Sequence, residues 1–270
     1  MTYRHKSASA YVRGSSHQAN DTPCQDRVYT SSKGGITVIS LADGAGSASH
    51  SELGAELVTT ISSEYLLENF NTMFNDSAKE IGESLLELLR SKSQEKAGQL
   101  DLSLKQLSST IQFVGIKKNL FIAGHIGDGV IGKFKPGEIE VFSPPDNGEF
   151  LNQTYFFTSA DALEHFRIYK GKFDGSIGFI LMSDGSAESL FSRSNQQLTS
   201  ANLKIFDWLM EYPEDEVNAA LDNNIKEFFL KKTGDDCSVG VLLAIKSKDI
   251  VWWKKLIRRI PLIGPLFEKS

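Results

Sequence analysis

Four aspartates of this chain have the residue type and the spacing to build a shared site. Asp43, Asp128, Asp184 and Asp235 each lie next to a turn glycine, at one end of an apolar run that is typical of a strand. A single Asp-Gly pair is an ordinary turn, so the evidence lies in the repetition. Since strand ends meet at the edges of sheets, residues far apart in the chain can gather there.

The chemistry that such a cluster favours is metal binding. Carboxylates gathered without matching basic groups repel one another and resist ionisation, and a divalent cation removes that penalty. The pattern offers only oxygen ligands, which indicates Mg²⁺ or Mn²⁺ rather than zinc. Gly44 has no Cβ, so its carbonyl can turn towards the same ion as Asp43. The residues alone leave two interpretations open: a hard-metal site, or four unrelated turns at strand ends.

The segments that must position these aspartates alternate between strand-like and helix-like sequence patterns. Strand-like runs occupy 35–42, much of 109–143, 153–158, 176–183 and the residues after Asp236, and helical spacing covers 50–70 and 76–100. Strands, two long helices and then more strands differ from the regular alternation of a doubly wound sheet. We therefore predict an α+β fold in which antiparallel sheets carry helices on their outer faces.

Composition narrows the functional classes. The 270 residues carry a formal charge of −5 and a pI of about 5.6, which excludes a global basic surface for nucleic acid. Cys24 and Cys237 form no disulfide or CxxC pattern, and the first residues lack the apolar run of a signal peptide. We therefore expect a cytoplasmic protein.

The last residues differ from the rest of the chain. Residues 249–270 hold two tryptophans, several leucines and isoleucines, and the basic pairs 254–255 and 258–259. Pro261 and Pro265 would interrupt a helix. We expect this tail either to pack its aromatic side chains on the domain or to contact a membrane surface or a protein partner.

Five short motifs give the chain a resemblance to the protein phosphatase 2C family, the metal-dependent serine/threonine phosphatases. In the family's order they are CQD at 24–26, LADGAG at 41–46, GHIGD at 124–128, LMSDG at 181–185 and GDDCSV at 234–239. The resemblance covers nearly the whole chain except the tail, and the flanking residues are similar to compact bacterial members.

The resemblance implies a four-layer α-β-β-α sandwich, two antiparallel sheets flanked by helices. It places the catalytic domain in residues 1–248, with a flap or variable insert at 186–232, and leaves 249–270 as a basic aromatic tail. Substrate selection is expected in 186–232, because loops vary while a metal scaffold stays fixed.

The same resemblance implies a site with two Mn²⁺ or Mg²⁺ ions. Asp43 would bridge the ions, the Gly44 carbonyl would bind one, and Asp184 and Asp235 would complete the ligands of the other. Asp26 would hold a metal-bound water. Asp128, together with Asp184, would bind a third ion.

The implied function is hydrolysis of phosphoserine and phosphothreonine on proteins by a hydroxide that bridges the two ions, opposing a serine/threonine kinase. Two alternatives share the site: a catalytically weak, phosphatase-like binding or regulatory module, and a hydrolase of small phosphoesters.

The chain departs from the family pattern around the metals. Gln25 stands where members often have Glu, and Ala45 stands where many eukaryotic members have a candidate general acid. Arg13 lies further upstream than the usual phosphate-binding arginine. We expect Arg13 or His17 either to contact phosphate or to be exposed polar side chains. The proton for the leaving group would come from water or from another group such as His17 or His50.

Overall fold

A computed structural model describes residues 2–146 and 154–249 of the chain and confirms the predicted α+β fold. The strands are β1 Tyr3–Val12, β2 Arg27–Lys33, β3 Ile36–Ala42, β4 Ile111–Lys117, β5 Leu120–Ile126, β6 Val130–Lys135, β7 Glu138–Ser143, β8 Arg167–Lys172, β9 Ile177–Met182, β10 Phe191–Ser192, β11 Gln197–Leu198 and β12 Cys237–Lys246. The helices are α1 Ser15–Ala19, α2 Ser51–Asn75, α3 Ala78–Gln99, α4 Asp184–Leu190, α5 Ala201–Glu211 and α6 Glu214–Asn224, with a 3₁₀ turn at Leu104–Leu107 and a π-helical turn at Ile225–Phe229.

Two five-stranded sheets form the centre of the molecule. The first has the strand order β1-β12-β9-β6-β7 and the second has the order β2-β3-β4-β5-β8. Neighbouring strands in both sheets pair antiparallel. Each sheet therefore draws its strands from distant parts of the chain.

Three apolar cores separate four layers, which confirms the α-β-β-α sandwich. Between the sheets, Ile39 and Val114 pack with Phe179 and Leu242. On the outer face of the second sheet, α2 and α3 bury side chains such as Phe70. On the outer face of the first sheet, α4, α5 and α6 do the same.

The strands that lead to the aspartates are the most deeply buried. Every residue of β3 and of β9 is buried, as are the first nine residues of β12. A strand covered on both faces reads as a continuous apolar run, which is why these three are visible in the sequence. Their ends at Asp43, Asp184 and Asp235 share one edge of the sandwich.

The region 186–232, which was expected to be a variable insert, packs on the outer face of the first sheet. Residues 186–232 contain α5, α6 and most of α4, and they bury Trp208 and Leu221 in the outer core.

The expected tail contact concerns residues 250–270, which lie outside the described part of the chain. In that described part, no helix has the length and apolar character needed to cross a membrane.

Candidate metal centre

A cavity of about 130 Å³ opens where the strand ends meet. All five predicted ligands line it: Asp43, Gly44, Asp128, Asp184 and Asp235. The remaining lining residues are Gln25, Ala45, Gly46, Thr110, Thr154 and Phe156. The structure thus brings together aspartates that are up to 192 positions apart in the chain.

The turn after β3 is fixed by contacts with the residues that precede β4. The Asp43 N–H donates to Thr110 Oγ1 at 2.9 Å, and the Asp43 carbonyl accepts from the Thr110 N–H at 2.8 Å. A Cβ on Gly44 would lie 2.7 Å from the Ser51 side chain, at the start of α2. Glycine is therefore required here by close packing, and the Asp43–Gly44 peptide has little freedom to move.

Asp184 and Asp235 are held side by side by the pairing of their neighbours. The Ser183 N–H donates to the Ser238 carbonyl at 3.2 Å, and the Ser238 N–H donates to Ser183 Oγ at 3.1 Å. A Cβ on Gly185 would lie 2.1 Å from the Asp236 carbonyl oxygen. The turn after β9 and the turn before β12 therefore pack directly on each other.

Asp128 reaches the cavity from the tight turn between β5 and β6, which connects the two sheets. Its Oδ2 accepts a hydrogen bond from Thr154 Oγ1 at 2.5 Å. Thr154 and Phe156 line the cavity from the connection between β7 and β8, whereas no residue of 186–232 lines it. The expectation of a substrate-selecting flap at 186–232 stays a prediction, and the described connection that borders the site is a different one.

Asp26 lies behind the cavity wall rather than in it. Its side chain is buried, and neither carboxylate oxygen has a hydrogen-bond partner among the described residues. Burial is the main cause that raises the pKa of Asp26 to about 8, and the charge of Asp236 adds to it. An unsatisfied buried carboxyl group next to a cluster of acids fits a role in holding a water molecule on a cation.

The carboxyl groups of the cluster disturb one another's ionisation. Burial raises the pKa of Asp43 well above its ordinary range, and the charges of Asp26, Asp184 and Asp128 add to that effect. Burial and the charge of Asp128 raise the pKa of Asp184 to about 6. A divalent cation between these carboxylates would remove the repulsion that opposes their ionisation.

The donor set fits Mn²⁺ or Mg²⁺. It consists of carboxylate oxygens and the Gly44 carbonyl, the ligands that hard cations prefer. As the side chains lie, no three His, Cys, Asp or Glu residues of the described part are close enough together to hold a metal ion.

Arg13 and His17 are not brought into the cavity. Arg13 Nη1 lies 4.0 Å from Asp21 Oδ1 at the surface, and 36% of the Arg13 side chain is exposed. His17 Nδ1 lies 2.9 Å from Asp236 Oδ2. Contact of either residue with phosphate therefore stays a prediction, and it requires a movement of the 13–17 segment.

Both cysteines are free and lie beside the aspartates. Burial and the charges of Asp26 and of neighbouring acids raise the pKa of the Cys24 and Cys237 thiols. Because the thiolate is the reactive form, these surroundings favour inert side chains over redox sensors.

Several residues at this edge could not be found by reading the sequence. Thr154 reaches Asp128 across 26 positions, and Thr110 reaches Asp43 across 67. Neither threonine belongs to a recognisable pattern. Asp236 was visible only as a neighbour of Asp235, and nothing in the sequence indicates its contact with His17.

The protein phosphatase 2C family model matches residues 13–229 of the chain, which is well over half of its length. No curated protein sequence matches the chain.

Several solved structures have a similar fold. The catalytic domain of the serine threonine protein phosphatase PstP in complex with two manganese ions is 17% identical, covers 91% of this chain and 100% of its own, and gives a TM-score of 0.61. The serine/threonine phosphatase of S. agalactiae is 18% identical, with coverages of 88% and 99% and a TM-score of 0.62. PppA, a regulatory component of T6SS in Pseudomonas aeruginosa, is 16% identical, with coverages of 91% and 99% and a TM-score of 0.59. At these identities the similarity establishes the fold.

Proposed function

The chain belongs to the protein phosphatase 2C family, and on that premise we propose that it is a Mn²⁺- or Mg²⁺-dependent phosphatase that removes phosphate from serine and threonine residues of proteins.

The observation that carries this proposal is the charge of the cavity. Four carboxylates line it, and its lining in the described part of the chain includes no Lys, Arg or His. A phosphate monoester is an anion, so it would be repelled from such a cavity unless cations lay between it and the carboxylates. A phosphatase site of this composition therefore depends on bound metal.

Within this proposal each aspartate has its own role. Asp43 would serve both of two ions, the Gly44 carbonyl would hold one of them, and Asp184 and Asp235 would hold the other. Asp128, which accepts a hydrogen bond from the Thr154 hydroxyl, would join Asp184 in holding a third ion. Asp26, whose oxygens have no partner among the described residues, would accept a hydrogen bond from a water at the metals.

The bound ions would lower the pKa of a water so that it can attack phosphorus near neutral pH, and would neutralise charge on the phosphoryl oxygens. The chain's own residues hold the reacting groups in place. The Asp43–Gly44 turn is fixed by Thr110, and Asp184 by the pairing of Ser183 with Ser238. Gln25, which lines the cavity with a buried and unpartnered Oε1, can orient a water without adding negative charge.

A protein substrate is proposed from the family and from the solved structures that are described as serine/threonine phosphatases. A partner serine/threonine kinase follows, since a kinase must supply such a substrate. The cytoplasm is proposed as the setting because two isolated cysteines form no disulfide framework.

Hydrolysis of p-nitrophenyl phosphate tests the metal-dependent activity. We expect wild-type protein to hydrolyse p-nitrophenyl phosphate with Mn²⁺ or Mg²⁺ and to lose this activity in a chelator, because no basic side chain lines the described cavity. We expect Asp184→Asn to lose at least about 100-fold in kcat, as loss of an electrostatic group at the reacting centre does. The exposed Asp215→Asn serves as the control and keeps the wild-type rate. Turnover that persists in chelator would contradict the proposal.

Phosphoserine and phosphothreonine peptides, compared with small metabolite esters, test the substrate class. The proposal expects a higher kcat/KM for the peptides. A higher kcat/KM for the small esters would be compatible with the proposed metal site and would contradict the proposal of a protein substrate.

A further inference from the structure

One buried carboxylate outside the proposed ligand set gathers three partners from a single loop. Asp236 is 2% exposed. Its Oδ1 accepts from the Gly14 N–H at 2.7 Å, and its Oδ2 accepts from the Gln25 N–H at 2.5 Å. The same Oδ2 lies 2.9 Å from His17 Nδ1. Asp236 therefore contacts the segment 14–25 at both of its ends and at His17.

This segment connects the two turns that carry the proposed ligands. The Gln25 peptide binds Asp236 through its N–H, and its carbonyl accepts from the Gly44 N–H at 3.1 Å. One residue thus joins the Asp235–Asp236 turn to the Asp43–Gly44 turn. The Asp236 N–H also donates to Asp235 Oδ1 at 2.8 Å, so the position of Asp236 directs the ligand beside it.

The segment is also pressed closely against the Asp235 turn. A Cβ on Gly14 would lie 2.3 Å from the Asp235 backbone, and a Cβ on Gly234 would lie 2.4 Å from Ser16 Oγ. The Ser16 N–H donates to the Gly234 carbonyl at 2.9 Å. Because the packing here leaves no free space, a change in the Asp236 contacts would move the backbone of the Asp235 turn.

His17 is distinctive among the basic residues near this edge. Six aspartates gather there, Asp236 with the five proposed site residues Asp26, Asp43, Asp128, Asp184 and Asp235. Across residues 2–146 and 154–249, only Asp236 among the six forms an ion pair, and its partner is His17. Within the same range His17 Nδ1 makes no hydrogen bond, so its 2.9 Å approach to Asp236 Oδ2 is an ion-pair contact. His17 therefore contacts this buried carboxylate without entering the cavity.

We infer that Asp236 and His17 are a pair of positioning residues that hold the Asp43–Gly44 and Asp235 turns at the separation needed to bind metal. The inference rests on the proposed metal-dependent function and adds to it residues that bind no metal themselves. It also accounts for the position of His17 outside the cavity.

Calorimetric titration of the metal-free full chain with Mn²⁺ tests this pair directly. We expect Asp236→Ala and His17→Leu each to weaken Mn²⁺ binding by about 10- to 100-fold, the range observed when residues behind metal ligands are removed. The double variant should lose less than the product of the two single losses, because both changes break the same contact. Circular dichroism shows whether each variant is folded. If Asp236→Ala fails to fold, His17→Leu alone decides, since its side chain is partly exposed.

Two controls separate positioning from general destabilisation. His17→Gln keeps an N–H that can reach Asp236, and we expect it to restore most of the Mn²⁺ affinity that His17→Leu loses. Asp222→Ala and Lys226→Leu break an exposed ion pair of 2.6 Å on and after α6, and should leave the affinity unchanged.

The outcomes are distinguishable. Wild-type protein that binds no Mn²⁺ would overturn the proposed function and this inference together. Wild-type protein that binds Mn²⁺ while folded His17→Leu binds it equally well would overturn the inference alone. The inference alone would also be overturned if His17→Gln bound Mn²⁺ as weakly as His17→Leu does.

Discussion

At the scale of single residues, the candidate site is a cluster of acids whose mutual repulsion opposes folding of the metal-free protein. The pKa of Asp184 is raised to about 6 and that of Asp26 to about 8, with burial as the main cause in both. An acid whose pKa is raised by folding stabilises the protein below its unfolded pKa, and this contribution is lost as the pH rises through the folded pKa. Metal-free protein should therefore lose stability between about pH 4 and pH 8.

Thermal unfolding in chelator tests this pH dependence. We expect the unfolding midpoint of wild-type protein, relative to that of Asp184→Asn, to fall by several degrees between pH 5 and pH 8. Saturating Mn²⁺ should abolish the fall for wild type, because bound cations compensate the ionised carboxylates. A midpoint difference in chelator that rises with pH would contradict the electrostatic account.

The aspartates themselves could be predicted from the sequence because each marks the end of a buried apolar strand. The contacts that orient them could not. Thr154 hydrogen-bonds Asp128, and Asp236 holds Gly14 and Gln25, through distances in sequence of 26 residues or more. Such contacts depend on how the two sheets are stacked, and local patterns carry no record of that.

At the scale of elements, α2 positions the cavity from outside the second sheet. It starts at Ser51, against Gly44, and Gly54 presses on the turn Leu104–Leu107. The carbonyl of the next residue, Ser108, accepts from the Ala45 N–H at 2.9 Å. Close packing of α2 is thus transmitted within a few residues to the Asp43–Gly44 turn.

Two alanine substitutions in the long helices should have opposite effects. In Gly54→Ala the new Cβ would lie 1.8 Å from the Leu107 carbonyl oxygen, so we expect a loss of about 1–3 kcal/mol in unfolding free energy and reduced phosphatase turnover. In Gly98→Ala, near the end of α3, nothing lies within 4 Å of the new Cβ, and we expect a gain of about 0.5–1 kcal/mol. Urea denaturation measures both, and a stabilising Gly54→Ala would contradict the packing.

Elements with strong periodicity or continuous apolar runs were predictable, whereas three of the four edge strands of the two five-stranded sheets, β1, β2 and β8, were not. The predicted strands at 35–42 and 176–183 correspond to β3 and β9, and both long helices are present. β1, β2 and β8 are rich in polar residues and only partly buried, so their sequences resemble loops. The run predicted as a strand at 153–158 does not form one over residues 155–158, where 155–156 are irregular and 157–158 lie in a turn. Phe157 from this run fills the core beneath α2 and α3.

At the scale of the whole molecule, the strands of both five-stranded sheets lie within residues 3–246. β12 pairs with both β1 and β9, and Asp249 Oδ2 accepts hydrogen bonds from the Ser176 N–H and hydroxyl at 2.9 and 2.8 Å. These contacts tie the end of the described chain to the start of β9. The domain boundary expected after residue 248 stays a prediction.

Truncation after Asp249 tests that domain proposal. We expect residues 1–249 to keep the wild-type unfolding midpoint and the wild-type rate with p-nitrophenyl phosphate, because the removed residues supply none of the described cavity lining. Binding to anionic lipid vesicles, compared between the full and the shortened chain, tests the expected membrane contact of the tail. A shortened chain that fails to fold would contradict the domain boundary.

The four-layer fold was predictable as a whole because the motif order and the buried strands agree with each other. The placement of 186–232 was harder to predict. Its polar surface suggests a variable insert, yet Phe206, Trp208 and Leu221 from this region are fully buried against the first sheet. A few large side chains in a polar sequence are enough to form an entire layer.

We propose that metal held by the clustered aspartates allows this protein to hydrolyse phosphoprotein. The most direct measurement is phosphate release from a phosphothreonine peptide by metal-free protein titrated with Mn²⁺, for wild type and Asp184→Asn in parallel. We expect no release without metal, a wild-type rate that rises with Mn²⁺ and saturates, and a rate for Asp184→Asn at least about 100-fold lower. Release in the absence of metal, or an Asp184→Asn rate equal to that of wild type, would contradict it.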